Sequence, residues 1–241
     1  MRLGIISNPV SQHNHRFPPT HWRLARLLKK MDDSVRTSDK SEIPGALKML
    51  LFDREINVLG VNGGDGTIHA VVNSLNRMAE KGELAGRDLP AMLFMNGGTY
   101  NMAARALGTK DDPVGCVKKF LRMFGDKPDH AVPFRELKIL KIEFEGESNS
   151  DYGMIFGTEV IANALELCDS LGSGYLGLLR LLFQGSAGYF LKSGFYRDNI
   201  WRLMPAHGIS VDGETLENCA GVVATTVDLM LLKGFIKSAT V

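Results

Sequence analysis

Three glycines, an aspartate and a threonine stand together at Gly63-Gly64-Asp65-Gly66-Thr67. Glycine admits positive φ and lets the backbone come close to a ligand. An apolar run at residues 56–61 precedes the loop, and a helical pattern at residues 68–80 follows it. The loop therefore opens a helix, whose first N–H groups lack intrahelical acceptors and carry about half a positive charge. A triphosphate fits that environment. Asp65 would repel phosphate unless a metal or a hydroxyl lay between them. It reads either as a group that organises Mg²⁺ or as a proton acceptor. The alternative is structural: a tight strand-to-helix turn with Asp65 as the helix cap, where aspartate is favoured.

Two further loops have suitable chemistry. Asn96-Gly97-Gly98-Thr99-Tyr100-Asn101 again lies after a strand pattern and before a helix pattern. Thr99 offers a hydroxyl for phosphate, and Asn101 a helix cap or a ligand-orienting amide. Asn8-Pro9-Val10-Ser11 ends the first apolar run and is by itself a turn. Ligands in open α/β sheets lie outside the carboxyl ends of the strands. All three loops are expected to meet on that one edge.

The elements that must position them alternate. Strands are expected at residues 2–7, 34–37, 56–61 and 91–95, and helices at 21–31, 43–54, 68–80 and from about 102. Residues 56–61 are nearly continuous in apolar residues, as in a strand buried on both faces of a parallel sheet. The alternation predicts a three-layer α/β domain with a mostly parallel sheet over residues 1–128. After Pro128 the texture changes. Residues 137–144 alternate as a half-buried strand, residues 201–211 and 219–227 read as strands, and Val211-Asp212-Gly213-Glu214 carries a hairpin signal. Residues 162–192 between them read as helical or irregular. Residues 129–241 are thus expected to form a β-rich, mostly antiparallel second domain.

Composition excludes several classes. Hydrophobic residues at 44% and charged residues at 23% match an ordinary globular chain rather than a disordered or collagen-like one. A formal charge of +1 gives no global basic field, so nucleic acid is not an expected partner. Cys116, Cys168 and Cys219 are far apart and odd in number, which fits a reducing cytoplasm better than a disulfide framework or a zinc site. Asn8-Pro9 interrupts the amino-terminal apolar run too early for a signal-peptide core. No run of about 18 apolar residues marks a membrane-spanning helix. A lipid substrate would have to be reached from water.

Together, Asn8-Pro9-Val10-Ser11, Thr37, the stretch from Gly63 to Asn73 (GGDGTIHAVVN), Gly98-Thr99-Tyr100-Asn101 and Ala104-Arg105-Ala106-Leu107-Gly108 resemble the diacylglycerol kinase catalytic domain family. That family includes bacterial lipid kinases, sphingosine kinases and ceramide kinases. The resemblance is specific over residues 1–110 and looser afterwards, at Phe156-Gly157-Thr158-Glu159-Val160 and at residues 172–183. It implies an N-terminal α/β domain like that of NAD kinase and diacylglycerol kinase, followed by an antiparallel β-sandwich with ATP between the two. It also implies ATP with Mg²⁺, a lipid hydroxyl as acceptor, and a cytoplasmic protein peripheral to the membrane. A homodimer is compatible with this reading. Asn8, Ser11 and Thr37 would line the nucleotide site. Gly63, Gly64, Asp65, Gly66 and Thr67 would hold the phosphates with Thr99 beside them, and Asp65 would be the catalytic proton acceptor, as proposed in sphingosine kinases. In bacterial diacylglycerol kinases an acidic residue near the C-terminus is proposed for that role instead.

The sequence departs from the family pattern at Gln12, where glycine is usual, and at Met102, where diacylglycerol-type members usually have aspartate. Members also continue past the equivalent of Val241, so the sandwich is expected to be incomplete. An NAD kinase shares the GGDGT loop but not the other two. A nucleotide-binding protein without catalysis is the reading from a different class. Gly172-Ser173-Gly174-Tyr175-Leu176-Gly177 matches a dinucleotide-binding spacing, but it follows a helical pattern rather than a strand. His69 reads as a helix-surface residue.

Overall fold

The amino-terminal apolar run becomes a strand, Leu3–Ser7 (β1), buried at every position. It is flanked on both sides, by Ser34–Arg36 (β2) and by Val58–Gly63 (β3), and Ala91–Asn96 (β4) lies beyond β3. All pairs are parallel, and the order is β2-β1-β3-β4. The structure is a computed structural model describing residues 2–28, 31–84, 86–125, 133–144, 146, 149–157, 160–172, 175–199, 209–211, 214–216 and 222–227.

Side-chain alternation along β1 separates two helical layers. Leu3 and Ile5 join Leu24, Val58, Met95, Val114 and Val117 in one buried cluster. That face is covered by Thr20–Ala25 (α2) and Pro113–Phe124 (α6). Gly4 points the other way, toward Leu50 and Ile56. There Ile43–Lys48 (α3), continuing as the π-helical turn Met49–Asp53, packs with Asp65–Glu80 (α4). The result is the three-layer α/β arrangement the alternation predicts. Its order reverses direction between β1 and β3, which makes their carboxyl ends the switch point of the sheet.

Several boundaries differ from expectation. The Pro/His-rich segment contains a short helix, Gln12–Arg16 (α1), and Pro18-Pro19 then separates it from α2. The helix expected at 21–31 ends at Ala25. β3 starts at Val58 and includes Gly63, which pairs with Asn96. α4 starts at Asp65, so Gly66 and Thr67 belong to its first turn.

The described residues divide into two compact units, one within 2–154 together with 226–227, the other within 155–225. The first also holds the short helix Met102–Ala106 (α5) and an antiparallel pair, Leu140–Ile142 (β5) and Asp151–Gly153 (β6). In the second, Ile155–Gly157 (β7) pairs antiparallel with Val223–Thr225 (β10). Val160–Leu171 (α7), Tyr175–Leu191 (α8) and Gly194–Asn199 (α9) lie between these strands in sequence. Ile209–Val211 (β8) and Glu214–Leu216 (β9) form a further antiparallel pair on either side of the expected hairpin turn. The turn residues Asp212 and Gly213 lie outside the described residues, as do Thr158, Glu159, Trp201, Cys219 and residues 229–241. α7 directly precedes Gly172, so the dinucleotide-like spacing follows a helix, as expected.

Candidate functional site

The three loops meet where the strand order reverses. The backbone N–H of Asn8 donates to Asn62 O (2.9 Å), carrying the β1–β3 pairing one residue into the first loop. The Asn8 side-chain Nδ2 donates to Thr67 Oγ1 (2.9 Å), in the first turn of α4. Ser11 Oγ lies 2.8 Å from both Asn8 O and Gly97 O, and so reaches the third loop. Gly97 N donates to Gly63 O (3.2 Å). First, second and third loops thus hold one another through direct hydrogen bonds.

The glycines follow from this contact. A Cβ on Gly97 would lie 2.6 Å from both Gly63 N and Asn62 Oδ1, and one on Gly63 would lie 2.5 Å from Thr67 Oγ1. A Cβ on Gly98 would overlap Gly64 Cα. These distances are below any contact a real Cβ makes, so the two glycine pairs let the backbones touch. Gly66 differs: nothing lies within 4 Å of the Cβ it lacks. Its free side opens outward at the helix start, where the N–H groups of Asp65 and Gly66 have no intrahelical acceptor. This concentrates partial positive charge beside an opening, the setting an anionic ligand needs.

Asp65 is the carboxylate of this cluster. It does not cap its own helix. Gly64 holds that position, and Asp65 Oδ1 instead accepts from Ala103 N (3.0 Å) in the first turn of α5. The structural alternative is therefore partly correct, but for the neighbouring helix. One carboxylate oxygen is thereby committed to α5.

Thr99 Oγ1 hydrogen-bonds to Gln12 Oε1. The hydroxyl expected to face phosphate is thus engaged by Gln12, from the helix that follows the first loop. Asn101 sits at the N-cap of α5 in the left-handed region, φ 51°. Its side chain does not cap the helix; Oδ1 accepts from Gly98 N (2.7 Å) and Nδ2 donates to Gly98 O (3.2 Å), closing the third loop on itself. Thr37, at the end of β2, is buried and donates its backbone N–H to Ser7 O (3.0 Å). It stands one strand away from the other predicted residues, which the structure does bring together.

Sequence reasoning missed two buried asparagines. Asn14 Nδ2 lies within hydrogen-bond distance of Asn8 O (2.8 Å), Ser11 Oγ (3.0 Å) and Asn62 O (3.2 Å). Asn62, fully buried in β3, donates to Ser7 Oγ (3.3 Å). A polar residue standing between the apolar run and the glycines was the available signal for Asn62. Asn14 offered none, because it sits in a stretch read as loop.

A second set of bonds fixes α4 farther along. Asn73 Oδ1 accepts from Tyr152 N (2.9 Å) while its Nδ2 donates to Tyr152 O (2.9 Å), so one amide pairs with β6 as a strand would. The same Nδ2 lies 2.9 Å from His69 Nε2. Burial is the main cause that holds His69 below its usual imidazole pKa, consistent with an imidazole nitrogen accepting from Asn73. One turn on, Arg77 forms an ion pair with Asp151 (2.7 Å).

No curated protein matches the chain. Among solved structures, one described as "a putative diacylglycerol kinase from Bacillus anthracis str. Sterne" aligns with a TM-score of 0.53 and 17% identity, over 95% of this chain and 66% of that one. The chain therefore spans just under two thirds of that relative's length, and at this identity the likeness is one of fold. A diacylglycerol kinase structure from the same organism aligns with a TM-score of 0.44 and 17% identity, over 69% of this chain and 52% of the other. The family model described as the diacylglycerol kinase catalytic domain matches residues 2–128, more than half of the chain and the whole of the three-loop cluster. On that match, the chain belongs to the diacylglycerol kinase catalytic domain family.

Proposed function

We propose that this chain is an ATP-dependent lipid kinase that transfers the γ-phosphoryl group to the hydroxyl of a diacylglycerol or a sphingoid-like base. The observation that carries this reading is the position of Asp65 beside the open start of α4, with one carboxylate oxygen held by α5. Asn8 and Ser11 line the nucleotide side, and Thr37, buried one strand away, supports that edge of the sheet through Ser7. The backbone of residues 63–67 holds the phosphates, with Thr99 at the rim through Gln12.

The donor set fits a divalent ion carried in with the nucleotide. Among the described residues no group of three His, Cys, Asp or Glu side chains could hold a metal. Mg²⁺ would then be held chiefly by the phosphate oxygens and water, which leaves the other carboxylate oxygen of Asp65 for the acceptor hydroxyl. Bound there, the ion would supply charge neutralisation on the phosphate oxygens. The protein's own part is positioning and electrostatics. Asp65 orients the acceptor hydroxyl and takes its proton as the oxygen bonds to the γ-phosphorus. The bond from that phosphorus to the bridging oxygen breaks, and ADP leaves with the electron pair. Such an enzyme works as a peripheral protein at the membrane face. Among the described residues no helix is long and apolar enough to cross a membrane.

Labelled ATP offered with diacylglycerol, sphingosine or NAD tests the proposal. Label in a lipid, lost in Asp65→Asn, supports it. Label in NAD would move the assignment to an NAD kinase-like enzyme. Nucleotide binding with no transfer to any acceptor would make the chain a binding protein.

A further inference from the structure

The residues that follow the first loop form a surface with a separate character. From residue 2 to residue 31 the sequence contains Arg2, Arg16, Arg23, Arg26, Lys29 and Lys30 and no aspartate or glutamate. On the described part of that stretch, Val10 is 61% exposed, Phe17 57% and Trp22 56%. His15, Arg16, Pro18, Pro19, Arg23 and Arg26 are exposed as well. α2 explains the sidedness: Leu24 and Ala25 are buried toward the sheet, which turns Trp22, Arg23 and Arg26 outward. None of the ion pairs among the described residues engages Arg16, Arg23 or Arg26. Three cations stand free around two exposed aromatic rings, on a chain whose overall charge is only +1.

We propose that the exposed face of residues 10–26 is the surface by which this chain docks on an anionic phospholipid membrane. Arginines near such a surface are attracted by its potential, and tryptophan and phenylalanine place an apolar body at the headgroup boundary. Phe17 and Pro18-Pro19 form the connection between α1 and α2, so the apolar part lies at an exposed corner. The surface is continuous with the site. Ser11, the N-cap of α1, touches the third loop at Gly97 O, and Gln12 on the same helix touches Thr99. Docking by this corner sets the rim of the three-loop site at the headgroup plane. The inference rests on the lipid-kinase reading for its choice of a membrane over a nucleic acid, and its test keeps the two apart.

The test is cosedimentation of the whole chain with phosphatidylcholine vesicles, with and without phosphatidylglycerol, alongside transfer assays on vesicle-embedded and on dispersed short-chain diacylglycerol. The expected result is binding that requires phosphatidylglycerol and weakens as salt is raised. Arg16→Glu, Arg23→Glu and Arg26→Glu together should weaken binding by at least about a hundredfold, taking roughly fivefold per cation removed before the added carboxylates repel the surface. Phe17→Ala with Trp22→Ala should weaken it about tenfold. Lys118→Glu with Lys119→Glu, on the exposed side of α6, should bind as wild type does. The docking variants should lose transfer to vesicle-embedded lipid and keep transfer to the dispersed lipid, which also shows that they are folded. Binding by the triple variant equal to wild type, or capture of single-stranded RNA in preference to vesicles, overturns the proposal. Vesicle binding that follows the variants while no acceptor lipid is phosphorylated leaves the docking surface standing and removes the kinase reading.

Discussion

The carboxylate of Asp65 accepts a hydrogen bond from the backbone N–H of Ala103 at 3.0 Å, so the acid of the glycine loop also holds the start of the next helix. Asp65→Asn and Asp65→Ala separate the two duties. The asparagine variant keeps an oxygen for Ala103 and loses the charge. Its turnover should fall by roughly 10²–10⁴-fold, the range typical of general acid–base groups, with an unchanged melting temperature. The alanine variant should in addition lose about 1 kcal/mol of stability with the hydrogen bond. Turnover of Asp65→Asn within a few-fold of wild type would show that the charge is dispensable.

Gly98 and Gly66 should respond to alanine in opposite ways. At Gly98 the new Cβ runs into Gly64 Cα and forces the second and third loops apart. Overpacking of this kind costs about 1–3 kcal/mol and should weaken nucleotide binding together with stability. At Gly66 nothing lies within 4 Å of the new methyl group. Alanine is the better helix former by up to about 1 kcal/mol, so Gly66→Ala should melt at or above the wild-type temperature. It should nonetheless bind nucleotide more weakly, because the methyl fills the opening at the helix start. Melting curves with and without nucleotide decide both cases; unchanged affinity in Gly66→Ala would place the phosphates elsewhere.

Asn73 is expected to matter for folding more than its type suggests. Replacement by leucine leaves Tyr152 N and Tyr152 O without the amide that pairs with both. Two buried backbone groups left unsatisfied cost about 2–4 kcal/mol. Urea unfolding should show the unfolding free energy lowered by that amount, with a lower midpoint at an unchanged slope. A change below about 0.5 kcal/mol would mean that β6 finds another partner.

Cys116 provides a pH test of the buried face between α6 and the sheet. Burial, reinforced by Asp111, raises its thiol from 9.0 to about 11. The folded state thus favours the protonated thiol. This contribution is fully present below pH 9.0 and is lost as pH rises through about 11, since the unfolded thiol ionises first. Iodoacetamide near neutral pH should leave Cys116 unmodified in the native protein and alkylate it in urea. Rapid native alkylation, followed by peptide mass, would show that this face opens.

Residue types and spacing alone determined a good deal. The strand-helix alternation specified a parallel sheet with helices on both faces, and the glycine-rich loops identified the edge of it on which they meet. This was legible because burial on both faces demands continuous apolar strands, and close backbone approach demands glycine. The sequence could not show that Gly97 and Gly98 are glycines because of Gly63 and Gly64. That reason exists only once two loops more than thirty residues apart are in contact. Nor could it show that Asp65 serves α5, that Gln12 engages Thr99, that Asn14 ties the first loop to β3, or that Asn73 stands in for a strand partner of β6. Local pattern reports what each segment buries. The partner of a buried polar group is chosen by whichever segment the fold brings within about 3 Å, and only the tertiary structure decides that.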